Sequence, residues 1–85
     1  MSLHFDLYVG RTKVGHFEAH RTTPLVDGQR EYEYDCLVEA HGEQAELMLR
    51  HNRDDGAYVL IAKAIEMAVC VEPRLGIYPH GARRP

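Results

Sequence analysis

The sequence predicts one small α+β domain, a four-stranded antiparallel β-meander followed by one C-terminal α-helix packed on one face (ββββα). Four stretches within residues 3–51 alternate apolar and polar side chains, which is the period of a half-buried strand. Residues 54–72 instead repeat apolar residues at intervals of three and four, which is the period of a helix. A chain of 85 residues has room for one modest core.

Composition and charge predict a folded, soluble and cytoplasmic protein. The chain is 45% hydrophobic and 27% charged, which argues against disorder, and its net charge of −3 argues against nucleic-acid binding. The start lacks the plan of a signal peptide, and no apolar run approaches the ~20 residues of a membrane span. In a reducing compartment, Cys36 and Cys70 are expected to be buried free thiols, with a disulfide as the alternative.

The first predicted hairpin begins with an alternating strand whose apolar residues are Leu3, Phe5, Leu7 and Val9. Gly10 lies in the turn and supplies a positive φ if the turn requires one. The return strand covers residues 13–22, and its apolar phase slips between Val14 and Phe17. Gly15 lies in that gap, which predicts a bulge that places Phe17 and Ala19 on the inner face.

The second predicted hairpin follows a loop that Pro24 and Gly28 punctuate. Its strands cover about residues 30–40 and residues 44–51, with a tight turn at 41–43 between them. The residues expected on the inner face are Tyr32, Tyr34, Cys36, Val38, Ala45, Leu47 and Leu49. Met48 is expected on the outer face.

The predicted helix starts after Asp54 or Asp55, either of which suits the N-cap. Its expected central line is Ala57, Ile61, Ala64 and Ala68. Residues 57–62 also fit a fifth strand, because Tyr, Val and Ile favour strands. Pro73 ends the helix, and residues 73–85 are expected to form a flexible C-terminal tail outside the domain of residues 1–72.

The helix is apolar over roughly twice the ~100° arc of an ordinary surface helix. The sheet can cover only one flank of the helix, so we predict that the other flank forms a homodimer interface. The candidate interface residues are Tyr58, Ala62, Ile65 and Val69 on one flank and Leu60 and Met67 on the other. The competing hypothesis is that the tail, through Leu75, Ile77 and Tyr78, covers that flank within one chain.

Two polar patterns suggest alternative functions. His16, Glu18 and His20 share one strand face, so they are candidates for a metal site or for acid/base catalysis. The simpler interpretation is a solvent-facing strand, and we predict neither a metal nor another cofactor. No nucleophile signature, GxGxxG, GxxxxGK, HExxH or paired CxxC motif is present, so the protein is predicted not to be an enzyme.

The other pattern is an acidic face on the third strand. It consists of Glu31, Glu33, Asp35 and Glu39. Carboxylates about 7 Å apart along a strand imitate a row of phosphates, which suggests a nucleic-acid mimic that binds a basic groove. A solvated face that discourages edge-to-edge aggregation explains the same pattern.

Residues 8–34 (YVGRTKVGHFEAHRTTPLVDGQREYEY) and 50–66 (RHNRDDGAYVLIAKAIE) resemble, in general style, the small accessory proteins of actinobacterial phages. The likeness covers most of the chain through its length, its preference for Arg over Lys and its ββββα plan, and no specific motif carries it. It implies a protein that acts by binding a host or phage protein. The leading prediction is therefore a small non-enzymatic interaction module that works as a homodimer.

Overall fold

The computed structural model describes residues 2–24 and 26–77. Its elements are β1 (Ser2–Val9), β2 (Thr12–Arg21), β3 (Glu31–Ala40), β4 (Glu43–Asn52), α1 (Ala57–Val71) and a 3₁₀ helix (Pro73–Leu75). The strands form one antiparallel sheet in the order β1-β2-β3-β4. The predicted ββββα fold class is confirmed. Neither helix in the described part of the chain is both long enough and apolar enough to cross a membrane.

The alternating pattern places the core on one face of the sheet. Buried residues from the three strands β2, β3 and β4 lie opposite one another across the sheet, as the sequence predicts. They are Phe17, Ala19, Tyr32, Tyr34, Cys36, Val38, Ala40, Ala45, Leu47, Leu49 and His51. Met48 points to the outer face, where 56% of it is exposed.

The expected bulge lies in β2 next to Gly15. The strands β1 and β2 pair one to one as far as Gly15, and the next pair is Tyr8 with Lys13, so Val14 is the extra residue. A Cβ at Gly15 would overlap the carbonyl oxygen of Glu39 on β3. The glycine therefore permits the close approach of β2 and β3 where the strand bends.

Both tight turns use left-handed backbone conformations. Gly10 has the positive φ that the sequence suggested, at 62°. His41 and Gly42 have φ angles of 53° and 81°, which suit a two-residue hairpin turn. The His41 N–H donates to the carbonyl of Val14 at 3.0 Å, so this turn is tied to the bulge in β2.

Helix α1 makes most of its contacts with the sheet through β4 and β3. Its buried residues are Leu60, Ala64 and Ala68. On one side, the Nζ of Lys63 donates to the carbonyl of Arg50 on the edge strand β4 at 3.5 Å. Lys63 therefore lies on the side of the helix toward the β4 edge. Successive residues turn by about 100° around the helix axis, so the side opposite Lys63 is the one toward the β1–β2 half of the sheet.

The start and the packing of the helix correct three expectations. Leu60 is fully buried, whereas Ile61, expected on the central line, is only half-buried. The N-cap is Gly56 and no side chain caps the helix, because the Asp54 carboxylate instead accepts a hydrogen bond from Arg30 at 2.9 Å. Residues 57–62 are helical, so the alternative of a fifth strand is wrong.

The segment after α1 folds back onto the domain. The 3₁₀ helix contacts both α1 and β4, and its Leu75 is 0% exposed. Ile77 is also buried, and a guanidinium nitrogen of Arg74 lies 3.5 Å from a carboxylate oxygen of Glu43. Packing therefore extends beyond the expected boundary at Glu72, at least as far as Ile77. The rest of the predicted tail, residues 78–85 with Tyr78, lies outside the described residues.

Candidate functional site

An apolar surface lies between α1 and the first strand. The helix packs mainly on β4 and β3, and the inner-face side chains of β1 are half-buried or exposed. We call this area the β1–helix surface. It is formed by Leu3, Phe5 and Leu7 of β1 and by Tyr58, Ile61, Ile65 and Val69 of α1. Of these, Phe5 is 37% exposed and Tyr58 is 85% exposed.

The structure separates the six predicted interface residues. Tyr58, Ile65 and Val69 belong to the β1–helix surface, whereas Ala62 is exposed on the side of the helix away from the sheet. Leu60 does not belong to this surface, because it is fully buried within its own chain and is unavailable to a partner. Met67 is 46% exposed and lies on the other side of the buried line, toward Lys63.

The three residues of the metal and acid/base hypotheses do not converge. The two ring nitrogens of His16 lie 3.3 Å from carboxylate oxygens of Glu18 and Glu39. His20 instead shares a hydrogen bond of 2.8 Å with the hydroxyl of Ser2. Within residues 2–24 and 26–77, no three His, Cys, Asp or Glu side chains are close enough to hold a metal ion. The catalytic hypothesis stays a prediction.

The acidic face is interleaved with basic side chains. Glu31, Glu33 and Asp35 are exposed on the outer face, and Glu39 is half-buried. The residues directly opposite three of these acids on neighbouring strands are Arg50 (Glu33), His20 (Asp35) and His16 (Glu39). A row of this kind is less uniform in charge than a row of phosphates. The nucleic-acid mimic also stays a prediction.

A cavity of about 290 Å³ lies at the amino-terminal end of α1. The lining side chains come from all four strands, the loop between β4 and α1, and the helix. They are Leu3, Arg21, Tyr32, Tyr34, His51, Arg53, Asp55, Ala57 and Leu60. The guanidinium of Arg21 stands 5.7 Å from the centre of the Tyr32 ring, a cation–π distance. A larger depression of about 460 Å³ beside β3 is formed mainly by exposed polar residues and offers less enclosure.

His51 is the buried polar residue in the lining of this cavity, and it is 5% exposed. Its Nε2 lies 3.1 Å from the carbonyl oxygen of Asp55, so Nε2 carries the hydrogen and donates. Its ring packs edge-on against Tyr34, with 5.9 Å between the centroids. Its Nδ1 has no hydrogen-bond partner among the described residues. An unsatisfied buried acceptor of this kind costs about 1–3 kcal/mol.

The sequence patterns did not reveal this cavity. One signal for it was present, because His51 continues the inward positions of Ala45, Leu47 and Leu49 on β4. A histidine at an inward position of an otherwise apolar strand indicates a buried polar group that needs partners. The contributions of Arg21 and Arg53 depend on how the ends of β2 and β4 meet the helix, which no local pattern reports.

The two cysteines lie in different environments and are both free. Cys36 is buried as expected, whereas Cys70 is exposed, which corrects the expectation of two buried thiols. Burial, together with the nearby Asp35 carboxylate, raises the pKa of the Cys36 thiol from 9.0 to about 11. Cys36 is therefore a protonated core residue at neutral pH rather than a reactive thiol.

This pKa predicts a loss of stability in alkaline solution. In the unfolded chain the thiol ionises near 9.0, but the folded protein keeps it protonated up to about 11. The stabilisation is complete below the lower value and is lost as the pH rises between the two. We expect the wild type to lose up to about 3 kcal/mol more unfolding free energy over this interval than Cys36→Ala. Urea denaturation across the interval measures the difference, and parallel pH profiles would contradict the prediction.

Comparisons with protein-family models, with curated proteins and with solved structures each find no match for this chain.

Proposed function

We propose that the protein is a non-enzymatic interaction module that works as a homodimer through the β1–helix surface. The observation that supports this is the position of α1, which packs mainly on β4 and β3 and leaves the inner face of β1 half-buried or exposed. A large apolar side chain left in water forgoes about 1.5–3 kcal/mol relative to full burial. Contiguous apolar patches on a small domain usually mark an interaction site.

The shape of the β1–helix surface favours a second copy of the chain as its occupant. The surface has a floor, formed by Leu3, Phe5 and Leu7, and a wall, formed by one flank of α1. Two copies related by a two-fold axis can place each wall against the floor of the other, so that both bury the same patch. Binding of a host or phage protein by this dimer stays a prediction.

The proposal is tested by introducing a charge into the floor of the surface. We expect the wild type to have twice the chain mass of 9.7 kDa by light scattering. Phe5→Glu is expected to be a folded monomer, because a carboxylate buried at the interface without a partner opposes association. The melting temperature of the wild type should also rise with protein concentration, and that of the variant should not.

Met48→Glu is the matched control. Met48 is 56% exposed on the outer face, so this variant carries the same new charge away from the β1–helix surface. It is expected to keep the mass of the dimer. A wild type that stays monomeric up to about 1 mM would contradict the proposal. A dimer that Met48→Glu disrupts and Phe5→Glu does not would place the interface on the outer face instead.

A further inference from the structure

We propose that the cavity at the amino-terminal end of α1 binds a small amphipathic carboxylate, an organic acid with an aromatic body. All of its lining belongs to one chain, so the site does not require a second copy. At about 290 Å³ it lies near the lower end of the size range of small-molecule sites, about 300–1,000 Å³. A small monocyclic acid suits such a volume.

The charges around the cavity favour an anion. Two guanidinium groups, those of Arg21 and Arg53, line it together with one carboxylate, that of Asp55. The helix that begins there has neither a capping side chain nor an acidic residue in its first turn. Asp54 and Asp55 directly precede the N-cap Gly56 and offset the positive end of the helix, so the two guanidinium groups supply the attraction for an anion.

The walls of the cavity favour an aromatic body. Leu3 and Ala57 supply aliphatic contacts, and Tyr32 and Tyr34 supply two rings. The guanidinium of Arg21 already lies over the Tyr32 ring. An arginine beside an aromatic wall binds a carboxylate through its N–H groups while the body of the ligand packs on the rings.

His51 is not expected to contact the ligand. Its Nε2 donates to the carbonyl of Asp55, and its Nδ1, to which no described residue donates, has almost no solvent-accessible surface. A hydroxyl group on a ligand in the cavity therefore does not reach Nδ1. We expect an aromatic acid to bind about equally well with and without a hydroxyl group.

The test is a titration of the full chain with para-hydroxybenzoate, followed by nitrogen–proton correlation spectra and by calorimetry. We expect saturable shifts confined to amides of residues 51–60 and of the β2 end near Arg21. The neutral analogue para-hydroxybenzyl alcohol should bind at least about tenfold more weakly, because it lacks the charge that the guanidinium groups recognise. Benzoate should bind about as tightly as para-hydroxybenzoate, because it keeps both the charge and the aromatic ring.

Two variants with the same change of charge provide the control. Arg21→Gln should weaken binding of para-hydroxybenzoate by about tenfold, whereas Arg11→Gln, at the exposed β1–β2 turn, should leave it unchanged. Thermal melts of both variants establish that they are folded. The monomeric Phe5→Glu variant should still bind, which keeps this result separate from the dimer proposal.

Three outcomes would overturn the inference. The first is the absence of saturable binding of either acid at about 10 mM. The second is binding of inorganic phosphate as tightly as para-hydroxybenzoate, which would indicate a simple anion site without a role for the aromatic walls. The third is a set of shifts outside the cavity, or equal effects of Arg21→Gln and Arg11→Gln.

Discussion

Leu60→Asp is expected to unfold the protein. Leu60 is 0% exposed and is the largest of the three buried side chains of α1. Replacing its side chain removes buried apolar contacts, which alone costs about 2–5 kcal/mol for a change of Leu to Ala. The carboxylate adds a buried charge without a partner. A chain of this length has a total stability of roughly 4–13 kcal/mol, so the two effects together exceed or exhaust it.

Val59→Asp is the control for this prediction. Val59 precedes Leu60 in the first turn of α1, so a new carboxylate meets a similar helix dipole, but Val59 is 38% exposed. Circular dichroism should show a cooperative melt for Val59→Asp and none for Leu60→Asp. Since the sequence pattern placed Ile61 at the centre of the helix face, Ile61→Asp is a further comparison. If Ile61→Asp unfolds the chain and Leu60→Asp melts cooperatively, the helix is rotated from the position described above.

Gly15→Ala is expected to destabilise the protein by about 3 kcal/mol or more. The new Cβ would overlap the backbone oxygen of Glu39 and the Cα of Ala40. Backbone atoms in the middle of a sheet cannot rotate away as the end of a side chain can. The strands β2 and β3 must separate locally, which weakens their hydrogen bonds and the link between the bulge and the His41 turn. Urea denaturation measures the loss of unfolding free energy.

Gly56→Ala is the matched control, because it adds the same methyl group. Gly56 has a φ of −75°, and a Cβ at this position would meet no other atom within 4 Å. As an N-cap it is replaced at a cost of only about 1 kcal/mol or less. If both glycine variants lose equal stability, the close approach of β2 and β3 at Gly15 is not the reason for the loss.

Local patterns determined much of the fold. The alternation along β3 and β4 placed Tyr34, Cys36 and Leu47 on the inner face, because a strand has a fixed period of two and one face must be buried. The phase slip at Val14 located the bulge, since an extra residue shifts every later side chain to the other face. Both features depend only on neighbours in the chain, so the sequence contains all the information needed to find them.

The tertiary structure decided which side of the helix is buried and how far the domain extends. Most positions of α1 are apolar, so the period of three and four is satisfied by several rotations of the helix, and Leu60 rather than Ile61 became central only through its contact with the sheet. Leu75 and Ile77 pack because the chain reverses after Pro73 and meets α1 and β4.

The cavity also depends on residues that are distant in the chain. It forms where the ends of the four strands meet the start of the helix, and it brings Leu3, Arg21 and His51 together from three of those strands. The sequence by itself determines the type of each side chain and the face of the strand on which it lies. The separation between strands in space, and the position of the helix over β3 and β4 with β1 left open, come from packing the whole chain. That placement is what exposes the β1–helix surface and encloses the cavity.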